Sequence, residues 1–294
     1  MRHVYECPMR WADLDMLGHV NNVVYVDYLQ EARVDLMRAM LPLRPDDLAE
    51  GVVVVRHEVT YLSPLTFRFR PVKIECWVIE VRAASFTMAY EIFHDDVDED
   101  GGRRVYLRAT TVLTPYVFTE ERPRRLNPDE KAVLAPYVEP AIAPLTPRVA
   151  PLDRTHAHLF PLHVRFSDAD LYRHVNNVKY FEYFQEARIR QMADLTRDTD
   201  LMAPHVVVAQ TDVDYREPIL LREQPYELWS TIVRVGTRSM TLEAEIADGD
   251  RVLARSRVTL VFFDEETQRS TEPAPALREL LARTLAPAWT SPLY

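Results

Sequence analysis

The chain has 294 residues, 47% hydrophobic and 27% charged, with 45 acidic against 35 basic side chains and a net charge of −10. That length fits about two domains of roughly 150 residues each, the composition is that of an ordinary globular protein, and the acidic balance excludes nucleic-acid binding driven by phosphate neutralisation. No run approaches the roughly 18 to 20 apolar residues a bilayer span requires, and residues 1–8 carry no apolar signal core, so a cytoplasmic protein without a membrane span is expected.

Residues 3–10 alternate loosely and read as a first strand. The block Arg10-Trp-Ala-Asp-Leu-Asp-Met-Leu-Gly-His-Val-Asn-Asn-Val-Val-Tyr follows and runs into a helix ending near Met40. On it Tyr25, Tyr28, Leu29, Ala32 and Leu36 share one face at helical spacing, and Val26 adds an apolar group off that stripe, as on a buried helix. Stretches rich in Val, Ile, Thr, Tyr and Phe then predict strands over 52–61, 72–81, 86–93 and 105–113, broken at Pro64, Pro71 and the acidic loop 95–102. Asn127-Pro128-Asp129-Glu130 has the marks of a helix start. Pro136, Pro140, Pro144, Pro147 and Pro151 mark a stiff extended linker.

The pattern then repeats. Residues 163–166 read as the partner of the first strand, and Arg165-Phe-Ser-Asp-Ala-Asp-Leu-Tyr-Arg-His-Val-Asn-Asn-Val-Lys-Tyr leads into a helix ending near Ala193. Tyr180, Tyr183, Phe184 and Ala187 take the apolar face, and strands are predicted over 206–215, 226–235, 240–246 and 252–263. Leu277, Leu280, Leu281 and Leu285 have helical spacing. Residues 10–33 and 165–188 are identical at 14 of 24 positions, at a constant offset of 155 that slips to 154 by the following strand. The division is therefore 1–138 for one unit, 139–158 for the linker and 159–294 for the second unit. Cys7 and Cys76 meet Leu162 and Ser230 in the other copy, which disfavours a disulfide or zinc site and favours a reducing compartment.

One strand, a buried helix and four more strands per unit imply an α+β class: a curved antiparallel sheet wrapped around a central helix, made twice. Two such units can join sheet edge to sheet edge about a pseudo-two-fold axis, which would cover exposed edges.

The spaced motif Arg-x-x-Asp-x-Asp-x-x-x-His-Val-Asn-Asn-x-x-Tyr, the helix ending Glu-Ala-Arg and the strand motif Tyr-x-x-Pro at 61–64 and 215–218 resemble the hotdog-fold thioesterases. The resemblance is greatest to the 4-hydroxybenzoyl-CoA thioesterase-like and acyl-ACP thioesterase branches, and it covers about 130 residues in each half. It implies two fused hotdog units that hydrolyse an acyl-CoA or acyl-ACP thioester, in fatty acid metabolism, with no cofactor. By the same resemblance Asp15 and Asp170 match the catalytic carboxylate, acting as base or as nucleophile. The backbone N–H groups of Asn22 and Asn177 would hold the oxyanion at the electropositive start of the helix. His19 and His174 belong to the catalytic group of the acyl-ACP branch, where they orient water or protonate the leaving thiolate; a histidine tied to a backbone carbonyl is the alternative. Asn21 and Asn176 cap the helix or hold water. Tyr25, Tyr28, Tyr180 and Tyr183 read as core and pocket wall, with Tyr25 and Tyr180 beside the substrate.

Asp13 and Asp168 read as structural loop acids held by Arg10 and Arg165. Glu31 and Arg33, with Glu186 and Arg188, read as ion-pair partners across the units. Arg103, Arg104, Arg122, Arg124 and Arg125 could meet a CoA phosphate or lie in solvated loops. His156 and His158 form a close pair in the linker, read as surface with no metal bound. Leu17 and Tyr172 stand where plant-type acyl-ACP enzymes have a functional Asn, so that catalytic set does not carry over, and Gly18 becomes Arg173 in the second copy. The acyl group would lie between the helix and the neighbouring unit, and association of double units into homo-oligomers stays open. Two other readings are a non-catalytic acyl-CoA-binding sensor or carrier, and a hotdog enoyl-thioester hydratase.

Overall fold

The computed structural model describes residues 1–40, 49–97, 102–140, 145–202, 204–264 and 266–285. The expectations at Pro144, in the middle of the acidic loop 95–102 and over 286–294 lie outside the described residues. Two compact units emerge, Met1–Thr146 and Pro147–Tyr294, dividing within the proline-rich stretch.

Unit 1 contains β1 (His3–Cys7), α1 (Val24–Met40), β2 (Glu50–Tyr61), β3 (Val72–Val81), β4 (Phe86–Val97), β5 (Arg103–Val117), a two-residue β6 (Arg122–Pro123) and α2 (Pro128–Leu134). The main strands lie in the order β1-β3-β4-β5-β2, every neighbouring pair antiparallel. Successive side chains of a strand point to opposite faces, and Val72, Ile74, Cys76 and Val78 of β3 are buried on one face. That face meets α1, where the Cys76 Sγ lies 3.8 Å from the Ala32 carbonyl. Tyr25, Tyr28, Leu29, Ala32 and Leu36 are buried as their spacing predicts, and so is Val26. Each such side chain of leucine size stabilises by about 1.5–3 kcal/mol. Bulges at Val54/Arg56 and Val78/Glu80 bend and twist the strands. The helix start at Asn127 is a reciprocal cap: the Asn127 side chain accepts from the Glu130 N–H, and the Glu130 carboxylate accepts from the Asn127 N–H, both at 2.8 Å.

Unit 2 repeats the plan with β7 (His158–Leu162), α3 (Lys179–Thr196), β8 (Val206–Tyr215), β9 (Tyr226–Val235), β10 (Ser239–Asp248), β11 (Arg251–Asp264), the short β12 (Arg269–Ser270) and α4 (Pro275–Arg283). Its order is β7-β9-β10-β11-β8, again antiparallel. The first strand of this unit is not 163–166 but His158–Leu162, the residues that the 155 offset assigns to His3–Cys7. Its proline, Pro161, is tolerated because the strand lies at the end of that order. His158 is accordingly not a surface linker residue: its Nε2 meets Asp194 at 3.0 Å, as His3 meets Asp35 at 2.8 Å in unit 1. Leu277 and Leu281 of α4 are buried in the cluster that includes Ile232, Leu242 and Leu260.

No helix among the described residues is long and apolar enough to cross a membrane.

Candidate active site

The duplicated block forms the same closed loop in both units. In unit 1 a single turn of 3-10 helix, Trp11–Asp13, brings Asp13 inward until it is 2% exposed. A buried carboxylate needs donors, and the sequence supplies them: the Arg10 N–H at 2.8 Å, the Arg10 Nε at 3.0 Å and the Tyr28 hydroxyl at 2.5 Å. The Asp13 carbonyl in turn accepts from the Asn21 N–H at 2.8 Å. Asp168 repeats this with the Arg165 N–H at 2.8 Å, the Tyr183 hydroxyl at 2.7 Å and the Asn176 N–H at 2.8 Å. Tyr28 and Tyr183 are core residues as expected, and their hydroxyls tie α1 and α3 to the loop.

Beyond this tie the chain makes a small hairpin. Leu14 pairs with Val20 and Ala169 with Val175. The Asp15 N–H donates to the His19 carbonyl and the Asp170 N–H to the His174 carbonyl, both at 2.8 Å. The tip is a tight turn in which the Gly18 N–H reaches the Asp15 carbonyl at 3.1 Å and the Arg173 N–H the Asp170 carbonyl at 3.0 Å. Asp suits the first position of such a turn because its side chain accepts the N–H two residues on. The Asp15 Oδ1 accepts from Leu17 N–H and the Asp170 Oδ1 from Tyr172 N–H, each at 2.9 Å. The Asp15 Oδ2 has no hydrogen-bond partner among the described residues. Burial pushes the Asp170 carboxyl above its ordinary value, against the opposing pull of the Tyr172 N–H and the charge of His174.

The hairpin leads into the helix. The Asn21 Oδ1 accepts from Val23 N–H at 3.3 Å and the Asn176 Oδ1 from Val178 N–H at 3.2 Å. Both asparagines thus close the turn immediately before the helix by accepting the N–H two residues on. The carbonyls of Asn22 and Asn177 accept from the hydroxyls of Tyr61 and Tyr215, each at 2.8 Å. Among the described residues no acceptor meets the Asn22 N–H. The Tyr25 hydroxyl accepts from Leu65 N–H at 3.0 Å and the Tyr180 hydroxyl from Ile219 N–H at 3.2 Å. Burial raises both phenols, and the charges of Asp15 and Asp170 act in the same direction. Tyr25 stands edge-on to Tyr61 at 5.5 Å, and Tyr180 to Tyr215 at 4.9 Å.

Each unit therefore gathers its own Asp, His, two Asn and Tyr at one helix start. The tyrosines of the Tyr-x-x-Pro motif join them, though the sequence gives them no role. A phenol retained in both copies, where phenylalanine would pack as well, is the signal that its oxygen has a partner. Arg103 is taken by Glu75 and Glu91, and Arg124 by Glu130 and Glu50. Arg33 turns inward, and no carboxylate among the described residues pairs with it. No group of three or more His, Cys, Asp or Glu among the described residues is arranged to hold a metal ion.

Comparisons with known proteins agree with this duplicated architecture. The chain is 30% identical over 126 residues to the uncharacterized protein YsmA of Bacillus subtilis, covering 41% of this chain and 82% of that one. It is 29% identical over 126 residues to the long-chain acyl-CoA thioesterase FadM of Escherichia coli, covering 40% of this chain and 92% of FadM. In structure it resembles a 12:0-ACP thioesterase from Umbellularia californica with a TM-score of 0.70 at 16% identity, covering 88% of this chain and 96% of that one, a likeness of fold. The family model of the thioesterase-like superfamily matches residues 9–138 and again 164–281. The chain belongs to the thioesterase-like superfamily, and its two units are fused hotdog domains.

Proposed function

We propose that the chain hydrolyses acyl-CoA or acyl-ACP thioesters at a site in each unit, with Asp15 and Asp170 as the catalytic carboxylates. The observation that carries this reading is the hairpin aspartate of unit 1, fixed through one oxygen and open at the other, in the same loop as a helix start whose Asn22 N–H no described residue takes up. Hydrolysis needs these two things together: a group that activates the attacking oxygen, and a donor aimed where negative charge develops.

In this reading the open carboxylate oxygen takes a proton from water as the water oxygen bonds to the thioester carbon. The carbonyl oxygen becomes an oxyanion against the Asn22 or Asn177 N–H. One such donor is typically worth about 3–4 kcal/mol of barrier. Collapse of the intermediate restores the carbonyl and breaks the carbon–sulfur bond; the thiolate takes the proton back from the carboxyl group, directly or through His19 or His174. Direct attack by the carboxylate would give an acyl anhydride that water then opens. Single turnover in heavy-oxygen water separates the routes, because only the second leaves the label in the aspartate.

The test is thiol release from a panel of acyl-CoA esters by the wild type, Asp15→Asn, Asp170→Asn and the double variant. The double variant is expected to lose about 10²–10⁴-fold in rate. Wild-type rates in the double variant would remove the two aspartates from the chemistry. Retained acyl-CoA binding with no thiol release by any of the four proteins would make the chain a binder.

A further inference from the structure

Arg33 lies on α1 with 5% of its surface exposed. Its Nη1 is buried and has no hydrogen-bond partner among the described residues. A guanidinium carries five N–H donors and stays charged, so a buried one without an acid requires explanation. Nearby acids on the helix do not supply a partner: Glu31 is exposed, and Asp35 is engaged by His3 at 2.8 Å and Arg38 at 3.2 Å. No ion pair to Arg33 is formed among the described residues. The Tyr90 phenol lies within reach of the guanidinium's charge and hydrogen bonding. In the next row of the sheet the Thr111 hydroxyl meets the His57 Nδ1 at 2.9 Å. Tyr90, Thr111 and His57 are each at most 1% exposed.

Unit 2 lacks the phenol and the imidazole and carries a different buried polar set, in which the Ser230 hydroxyl donates to the Gln191 side-chain oxygen at 2.9 Å. Strand register places Tyr90 between Cys76 and Ala109, and Thr111 between Met88 and His57. The matching register in unit 2 places Ala244 between Ser230 and Ser256, and Val258 between Leu242 and Thr211. Phenol has become methyl, hydroxyl has become isopropyl, and imidazole has become threonine. Arg188, the counterpart of Arg33, is only half-buried. The two units share the loop that carries the aspartate and differ in the interior behind it.

The position of Arg33 suggests what it meets. Tyr25, which feels the charge of Asp15, precedes Arg33 by eight residues, or about 12 Å along the helix axis. An acyl chain with its carbonyl at Asp15 and its methylenes along α1 would run its far end toward the guanidinium. We propose that unit 1 takes a medium-chain acyl thioester whose acyl group ends in a carboxylate, and that Arg33 binds that distal carboxylate with Tyr90 beside it. The proposal rests on the thioesterase reading above. A carboxylate is the acceptor whose geometry and charge match an open guanidinium edge.

The test compares suberoyl-CoA with octanoyl-CoA, which differ only in the distal carboxylate. The Asp170→Asn protein, left with the unit 1 site, is expected to prefer suberoyl-CoA by about tenfold or more in kcat/KM, as one charge-assisted contact provides. Arg33→Met is expected to erase that preference and Arg33→Lys, which keeps charge but loses the fork, to reduce it. The Asp15→Asn protein, left with unit 2, is expected to show no such preference. Equal rates on both esters in the Asp170→Asn protein, or a preference that survives Arg33→Met, would overturn the assignment. If no variant releases thiol from either ester, the thioesterase reading fails by itself, and binding decides the role of Arg33. Suberate then raises the Tm of the wild type but not of Arg33→Met if the site exists, and an equal or absent shift in both overturns it. The wild-type measurement stands even if a variant folds poorly.

Discussion

Glycine at position 18 and arginine at position 173 occupy the same turn, with φ of +74° and +63°. Glycine takes that left-handed backbone without penalty; a residue with a Cβ pays roughly 1–2 kcal/mol, partly offset by the smaller entropy of its unfolded chain. Arg173→Gly is therefore expected to stabilise by about 0.5–1 kcal/mol, read as a higher urea midpoint at unchanged slope. A Cβ built on Gly18 meets nothing within 4 Å, so Gly18→Ala should cost a similar amount through backbone strain alone. Asp170 offers a second test at this scale. Burial raises its carboxyl, so the folded state holds that proton more tightly than the unfolded chain. The linked stability is complete below the unfolded value of about 3.9 and falls as pH rises through the higher folded value. Asp170→Asn should accordingly raise stability at neutral pH and leave it nearly unchanged near pH 3 on the same ordinary scale. If Asp170 is the base of unit 2, the acid limb of the Asp15→Asn rate profile lies above the ordinary aspartate value.

At the scale of elements, the loop and its helix are held by very few groups. Tyr28→Phe removes one donor from a buried carboxylate and leaves the others, a loss of about 1.5–3 kcal/mol for a bond to a charged group. The same holds for Tyr183→Phe in unit 2, and urea denaturation of the two variants checks both. In the α2 cap, Asn127→Ala should cost about 1 kcal/mol, visible in the same assay. These elements were legible to different degrees. The apolar stripe of α1, the exact limits of β3, β8 and β9, and the capped start of α2 follow from local pattern. The strand β7 did not, because Pro161 and the proline-rich stretch before it disguise an edge strand as linker. The constant offset was the better guide there. The partners of Asp13 and Asp168 were half legible: Arg10 and Arg165 lie three residues away, whereas Tyr28 and Tyr183 lie fifteen away on a helix whose rotation the sequence does not give.

Across the molecule, duplication was the most legible property, since fourteen identical positions in twenty-four leave little else to explain them. The divergence between the two interiors was not legible. The different interiors opposite Arg33 and Arg188 appear only when strands distant in sequence are set in register. Glu31 and Arg33 read on paper as ion-pair partners across the units, because nothing local says which way an arginine on a mostly apolar helix will turn. Each unit supplies its own aspartate, histidine, asparagines and tyrosines, and this sets an expectation for kinetics. On a substrate both sites accept, the rates of Asp15→Asn and Asp170→Asn at saturation should sum to that of the wild type, as for uncoupled sites. A sum far from that value, in steady-state assays on one ester, would mean that the sites communicate.

The fastening of Asp13 and Asp168 has a consequence for how such a chain can change. Because the loop is buttoned at its base to a tyrosine of the helix and to the amide of Asn21 or Asn176, that fastening is the same in both copies whichever side chains stand at the crest. They have diverged completely, Met16-Leu17-Gly18 in one copy and Leu171-Tyr172-Arg173 in the other, while the aspartate before them keeps the same bonds. Those codons are where natural drift, or a laboratory library, can rewrite the rim of either candidate site without re-laying its foundations.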